Sequence, residues 1–195
     1  MAGNETSLNG FELLLCCSGG IACYKAADLT SKLLQRGAGV SVAMTDAAQR
    51  FVTPLTFQSL TGRDVYTSLW QGSETYQIGH TSLADRIDLM IIAPATANVL
   101  AKMAVGIADD LVSTTVLAVH GACDILVAPA MNPRMWQAPA TQANMTTLIE
   151  RGVHVVGPNE GRVACGHVGI GRMAEPEEIV EAVAGLLDGK PPRNV

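Results

Sequence analysis

The stretch Phe11-Glu12-Leu13-Leu14-Leu15-Cys16-Cys17-Ser18-Gly19-Gly20-Ile21-Ala22 decides the fold. A short, nearly continuous apolar run ends in three small residues, the pattern of a buried strand entering a tight turn. From Ile21 to Arg36 apolar residues recur at helical spacing until Gly37 stops them, and Val40-Ser41-Val42-Ala43-Met44 returns to strand character. Strand, glycine turn, helix and strand form a βαβ unit, which requires a parallel sheet.

The rest of the chain repeats the alternation. Thr45-Asp46-Ala47-Ala48 predicts the cap of a short helix reaching Phe51, with Asp46 at least as suited to an N-cap as to holding a ribose. A helix from Pro54 to Leu60 closes at Gly62, and Val65 to Gly79 is loop-like, a connection or lid. His80 to Arg86, Val99 to Ala104, Leu111 to Val119, Thr141 to Arg151 and Pro176 to Leu187 read as helices. Leu89 to Ile92, Ile125 to Ala128 and Val153 to Val156 read as strands, the last of these being the final clear one, and Gly157 to Met173 is glycine-rich and non-periodic. This order predicts an α/β fold, a three-layer, doubly wound, Rossmann-like parallel sheet. Residues 1–10 read as a flexible leader, 11–188 as one domain and 189–195 as a tail or linker.

Composition narrows the function. Hydrophobic residues make up 48% of the chain and charged ones 16%, yet no uncharged apolar run approaches the roughly 18 residues of a membrane span. Apolar surface in excess is most simply buried between copies, so a homo-oligomer is expected. A net charge of -5 with scattered Lys and Arg offers no basic stripe for nucleic acid. The polar N-terminus lacks the regions of a signal peptide, and five cysteines with no C-x-x-C pair predict neither disulfides nor a metal site. A reducing cytoplasm fits these features.

Three places can carry chemistry. Ser18-Gly19-Gly20-Ile21-Ala22 can set backbone N–H groups and a helix N-terminus against a phosphate. With Ser18 and Cys23 where a dinucleotide fingerprint needs glycine, a mononucleotide is favoured. Ala93-Pro94-Ala95-Thr96-Ala97-Asn98 and Ala128-Pro129-Ala130-Met131-Asn132-Pro133 each follow a strand and deliver an amide just beyond the first proline, which predicts two walls of one pocket. Pro129 and Pro133 predict a rigid segment that extends neither strand nor helix. Cys165, in a glycine-dense loop, is a candidate acid or nucleophile, and His80 the best-placed histidine for proton transfer.

Taken together, Ser18-Gly19-Gly20-Ile21-Ala22, His80 with Leu83, Pro94 to Asn98, Pro129 to Asn132 with Met135-Trp136, and Ala164-Cys165-Gly166 with Gly169, Gly171, Arg172 and Met173 resemble the homo-oligomeric flavin-containing cysteine decarboxylases. The resemblance spans Leu13 to Val183. It implies a Rossmann-like flavoprotein that binds FMN, with the phosphate near Ser18, Gly19, Gly20 and Ile21 and the remainder near Thr45, Phe51, Thr96, Ala97, Asn98 and Ala130. It implies His80 and Cys165 as catalytic residues, with Asn132, Met131, Ala164 and Arg172 binding substrate and Asn132 taking its carboxylate. The implied substrate is a phosphorylated N-acyl-cysteine, 4′-phosphopantothenoylcysteine, decarboxylated to 4′-phosphopantetheine in coenzyme A biosynthesis by a trimer or by trimers assembled into a dodecamer. Decarboxylation of a peptide C-terminal cysteine, and a non-catalytic flavin-binding regulatory subunit, are the alternatives. The sequence departs from the family pattern at Thr81, at Ile87-Asp88 and at Cys23, positions that bear on packing more than on chemistry.

Overall fold

The computed structural model of the chain describes residues 7–70, 84–162 and 168–193. Strands β1 (Glu12–Cys17), β2 (Gly39–Met44), β3 (Val65–Tyr66), β4 (Leu89–Ala95), β5 (Asp124–Pro129) and β6 (His154–Val155) form one sheet in the order β3-β2-β1-β4-β5-β6. Every pairing in it is parallel. The order reverses between β1 and β4, which makes the carboxyl ends of those two strands the switch point of the sheet.

Alternation along the strands builds two cores. On one face Leu13, Leu15, Val40 and Val42 pack with Ala26, Leu29 and Leu33 of helix α1 (Cys23–Gln35), Phe57 of α2 (Pro54–Thr61) and Ile179 and Val183 of a C-terminal helix, Pro176–Leu187. On the other, Leu14, Cys16, Met90 and Ile92 meet Leu100 of α3 (Ala97–Val105), Val112 and Val116 of α4 (Leu111–Ala118) and Leu148 of the helix Pro139–Glu150. Each fully buried Leu or Ile contributes about 1.5–3 kcal/mol. A sheet covered on both faces explains why its central strands read as unbroken apolar runs. Among the described residues no helix is long and apolar enough to cross a membrane.

Several expectations give way to tertiary contacts. The leader is docked at its end, where Leu8 is fully buried and donates its N–H to the Arg36 carbonyl at 2.8 Å. Val65 and Tyr66, expected in a loop, pair with Val42 and Ala43 as a two-residue strand, which is too short to show periodicity. The helix expected from His80 to Arg86 lies mostly outside the described residues. β4 and β5 run through Pro94 and Pro129 instead of stopping before them. Pro94, next to the last residue of β4, lies within the register shift between Ile92 and Ala95, and Pro129 is the last residue of β5, positions where a missing N–H leaves no regular ladder bond unmade.

Pro133 likewise opens a helix, α5 (Pro133–Gln137), with Asn132 as its N-cap. Proline is well suited to that position because the N–H it lacks would have no intrahelical partner. α6 (Pro139–Glu150) follows at once. The non-periodic segment after β6 contains an antiparallel pair, β7 (Asn159–Arg162) and β8 (Val168–Arg172), followed by α7 (Pro176–Leu187). Alternate glycines at Gly169 and Gly171 removed the side chains from which a strand pattern is read. The expected tail is docked as well. Lys190 pairs with Asp124 at 2.6 Å and the Arg193 N–H donates to Asp88 Oδ1 at 2.8 Å.

Candidate active site

At the switch point the chain after β1 touches the chain after β4. The Ser18 hydroxyl donates to the Pro94 carbonyl at 2.7 Å and accepts the Thr96 N–H at 2.9 Å, while Ser18 itself is 2% exposed. Thr96 in turn caps α3, its hydroxyl accepting the Val99 N–H. Cys23 donates its Sγ–H to the Ser18 carbonyl at 3.1 Å, so the position of the fingerprint's third glycine is occupied by a packed thiol.

The glycine turn lies over this seam. The first bond of the turn runs from the Cys23 N–H to the Gly20 carbonyl, so the amides of Gly20, Ile21 and Ala22 precede the ladder of α1 and face its open end. A Cβ on Gly19 would stand 2.3 Å from Ala47 Cβ and 2.7 Å from the Ala47 carbonyl carbon, which only glycine avoids. That close approach joins the turn to the segment after β2. There Thr45 Oγ1, not Asp46, accepts the Ala48 N–H at 3.2 Å, because the bend brings residue 48 back over residue 45. Asp46 is left exposed at the cavity wall.

A cavity of about 1220 Å³ opens above the seam. It is lined by Ser18, Gly19, Gly20, Ile21 and Thr45 on one side and by Thr96, Ala97, Asn98, Ala130, Met131 and Asn132 on the other, with Arg172 at its edge. Both Ala-Pro-Ala segments thus border one space. The Asn132 carboxamide is oriented by its cap, Oδ1 accepting the Arg134 N–H at 2.8 Å. Phe51 does not line the cavity, since it ends the short turn Ala48–Arg50 and is 51% exposed. His80, Ala164 and Cys165 lie outside the described residues. Met135 is 49% exposed and borders the cavity, while Trp136 packs on the core.

The cavity also contains charged residues that sequence reasoning passed over. Lys25 is buried in α1, donates to the Met173 carbonyl at 3.2 Å and pairs with Glu175 at 2.9 Å, and Glu175 also takes Arg172 at 2.7 Å. A signal was available, because Lys25 stands one and two helical turns before Leu29 and Leu33, on the stripe that faces the core. On the opposite rim Lys102 pairs with Asp109 and Asp110, each at 2.6 Å. Burial opposes ionisation of Asp110, but the Lys102 ammonium and the Ser113 N–H and hydroxyl outweigh it and hold the carboxyl below its usual range.

The donor set suits a phosphorylated planar cofactor: open helix amides and a side-chain-free turn at one end, small residues and amides along two walls. Among the described residues no group of His, Cys, Asp and Glu could hold a metal ion. Cys16, Cys17 and Cys23 are buried free thiols whose burial pushes their pKa values up.

The model of a family described as Flavoprotein matches residues 1–188. The chain is 51% identical over 191 residues to the coenzyme A biosynthesis bifunctional protein CoaBC of Bacillus subtilis (strain 168), covering 94% of this chain and 47% of that protein. It therefore spans about half the length of the curated relatives it matches. Its fold is similar to that of a PPC decarboxylase mutant complexed with pantothenoylaminoethenethiol, with a TM-score of 0.81, 30% identity and coverage of 90% of this chain and 97% of that one. The FMN binding protein AtHal3 gives a TM-score of 0.81 at 29% identity, over 94% of this chain and 100% of that one.

Proposed function

This chain belongs to the flavoprotein family, and from that premise we propose that it is an FMN-dependent carboxy-lyase that converts 4′-phosphopantothenoylcysteine to 4′-phosphopantetheine in coenzyme A biosynthesis. The observation that carries the reading is the single cavity at the switch point, bordered by the glycine turn, by Thr96 to Asn98 and by Ala130 to Asn132. Its volume of about 1220 Å³ exceeds the roughly 300–1,000 Å³ of a usual small-molecule site, enough for cofactor and substrate side by side.

The substrate sets the chemical problem. An N-acylated cysteine cannot form a Schiff base, so its carboxylate needs another electron sink. FMN held in the cavity would supply reversible two-electron chemistry, by which the substrate's thiol-bearing carbon reaches the thioaldehyde level, β to the carboxylate, while CO₂ leaves and returns to the thiol level afterwards.

The chain's own residues hold and orient the reactants. The amides of Gly19, Gly20 and Ile21, set by Ser18, would bind the cofactor phosphate at the N-terminus of α1. Thr45, Thr96, Ala97, Asn98 and Ala130 would border its sugar chain and ring. Asn132, beside Met131 and Arg172, would fix the substrate carboxylate in the geometry of departure. His80 would accept the substrate thiol proton, and Cys165, with Ala164 next to it, would protonate the enethiolate carbon that decarboxylation leaves.

We further propose a cytoplasmic homo-oligomer, a trimer or a dodecamer assembled from trimers. Exposed Ile21, Tyr24, Phe51 and Leu55, each more than half accessible, support burial against another copy. Residues 11–188 would then form the decarboxylase domain, with 1–10 and 189–195 as its flanks.

An absorption spectrum of the purified protein and a CO₂ assay test the proposal. A yellow protein, or a colourless one that FMN restores, should release CO₂ from 4′-phosphopantothenoylcysteine and not from a peptide ending in cysteine. Release from the peptide alone transfers the reading to the peptide-cysteine enzymes. FMN binding with no turnover on either leaves a binding subunit, and no FMN binding at all overturns the assignment.

A further inference from the structure

We infer that Gly171, assisted by Gly169, is a positioning residue for Asn132, an inference that rests on the decarboxylase reading above. β8 lies directly against the turn that carries Asn132. The Met131 N–H donates to the Gly171 carbonyl at 2.9 Å, and a Cβ on Gly171 would stand 2.3 Å from the Met131 carbonyl oxygen. Its backbone φ of +156° is also one that residues with side chains rarely adopt. Two residues earlier, on the same face of the strand, a Cβ on Gly169 would come within 3.1 Å of Pro133 Cβ and Cγ. The two glycines therefore touch the residues immediately before and after Asn132.

The anchoring on each side decides which part would give. Behind β8, Arg172 pairs with Glu175, and Glu175 and the Met173 carbonyl are both held by buried Lys25 of α1. The strand is thereby fixed to the helix that begins at the glycine turn. Ahead of Asn132, the Ala130 N–H is bonded to the Ala95 carbonyl at 3.0 Å. A side chain placed at 171 meets backbone on one side and an anchored strand on the other. The part that a side chain at 171 would displace is Met131 to Pro133, whose contact with β8 is the one disturbed and which contains the amide that orients the carboxylate. β8 acts as a template against which the carboxylate-binding amide is set.

The test compares a ligand with a carboxylate and one without. In FMN-loaded wild type and Gly171→Ala the affinity for 4′-phosphopantothenoylcysteine is read as KM from initial rates of CO₂ release and that for 4′-phosphopantetheine by titration, and the amide exchange of Met131 and Arg134 is followed. The expected result is an affinity for the carboxylated ligand weaker by about ten-fold or more, the loss of a charge-assisted hydrogen bond, with 4′-phosphopantetheine unchanged within about two-fold. Exchange at Met131 and Arg134 should quicken while FMN content stays the same. Gly169→Ala should give a smaller loss of the same kind, restored by adding Pro133→Ala, which guards against a Gly171→Ala protein that fails to fold. Equal weakening of both ligands, or none, in a protein whose wild type discriminates them overturns this inference alone. A wild type that turns over neither and discriminates neither overturns the decarboxylase reading together with it.

Discussion

The Thr96 N–H donates to the Ser18 hydroxyl at 2.9 Å, and that hydroxyl donates onward to Pro94, so one buried side chain joins the ends of β1 and β4. These are the two strands between which the sheet reverses its order. The bond fixes the spacing between the glycine turn and the Thr96–Asn98 wall, and with it the width of the cavity. Ser18→Ala should therefore lower stability by about 1–3 kcal/mol, because the Thr96 N–H loses its acceptor. Urea unfolding should report that loss together with weaker FMN retention.

Gly19→Ala tests the close approach itself. The new methyl would displace Ala47 or the turn, so FMN affinity should fall by at least about ten-fold. Gly62→Ala supplies the contrast, since Gly62 has a φ of +66° and nothing near its missing Cβ. It should cost about 1 kcal/mol of stability and leave the flavin spectrum unaltered. Equal flavin loss in the two variants would mean that the turn acts through stability alone.

Asn132 has two roles, cap and carboxylate ligand, which a single substitution can separate. Aspartate caps a helix as well as asparagine does, so Asn132→Asp should leave the unfolding midpoint nearly unchanged. Its charge would repel the substrate carboxylate, and KM should rise by about ten-fold or more. Asn132→Ala should lose both, with about 1 kcal/mol of stability gone as well. An Asn132→Asp enzyme with wild-type KM would remove Asn132 from the substrate site.

Asp110 links the cavity rim to acid stability. Its folded pKa lies below the ordinary carboxylate value, so its contribution is fully present above about pH 4 and is lost as pH falls through the folded value. Asp110→Asn should flatten the acid limb of the stability–pH curve and leave the neutral region with a constant offset. An unchanged acid limb would show that the Lys102 pair is too solvated to matter.

Cys123 should be nearly inert toward alkylation. Burial pushes its thiol up to about 11, with the Arg193 guanidinium pulling the other way. At pH 8 its thiolate fraction is then on the order of one in a thousand, and labelling by iodoacetamide should rise about ten-fold between pH 8 and pH 9. Peptide mapping that finds Cys123 labelled at pH 8 as fast as a free thiol would contradict its burial.

The sequence by itself determined the sheet, because Leu13 to Cys17, Val40 to Met44 and Leu89 to Ile92 are strands covered on both faces, where apolarity and glycine punctuation leave little choice. It also determined which residues after those strands could border a site, since small residues follow each of them, with an amide added at Asn98. Only the tertiary structure decided what the prolines do: Pro94 and Pro129 end strands, and Pro133 begins a helix, because the missing N–H costs something only where a neighbour would have accepted it. It alone revealed β8, whose alternate glycines erase side-chain periodicity so that backbone can lie against Met131 and Pro133. It alone put Lys25 and Glu175 together. An ion pair between residues 150 positions apart leaves no trace in local pattern and arises only when α1 and the turn before α7 pack side by side.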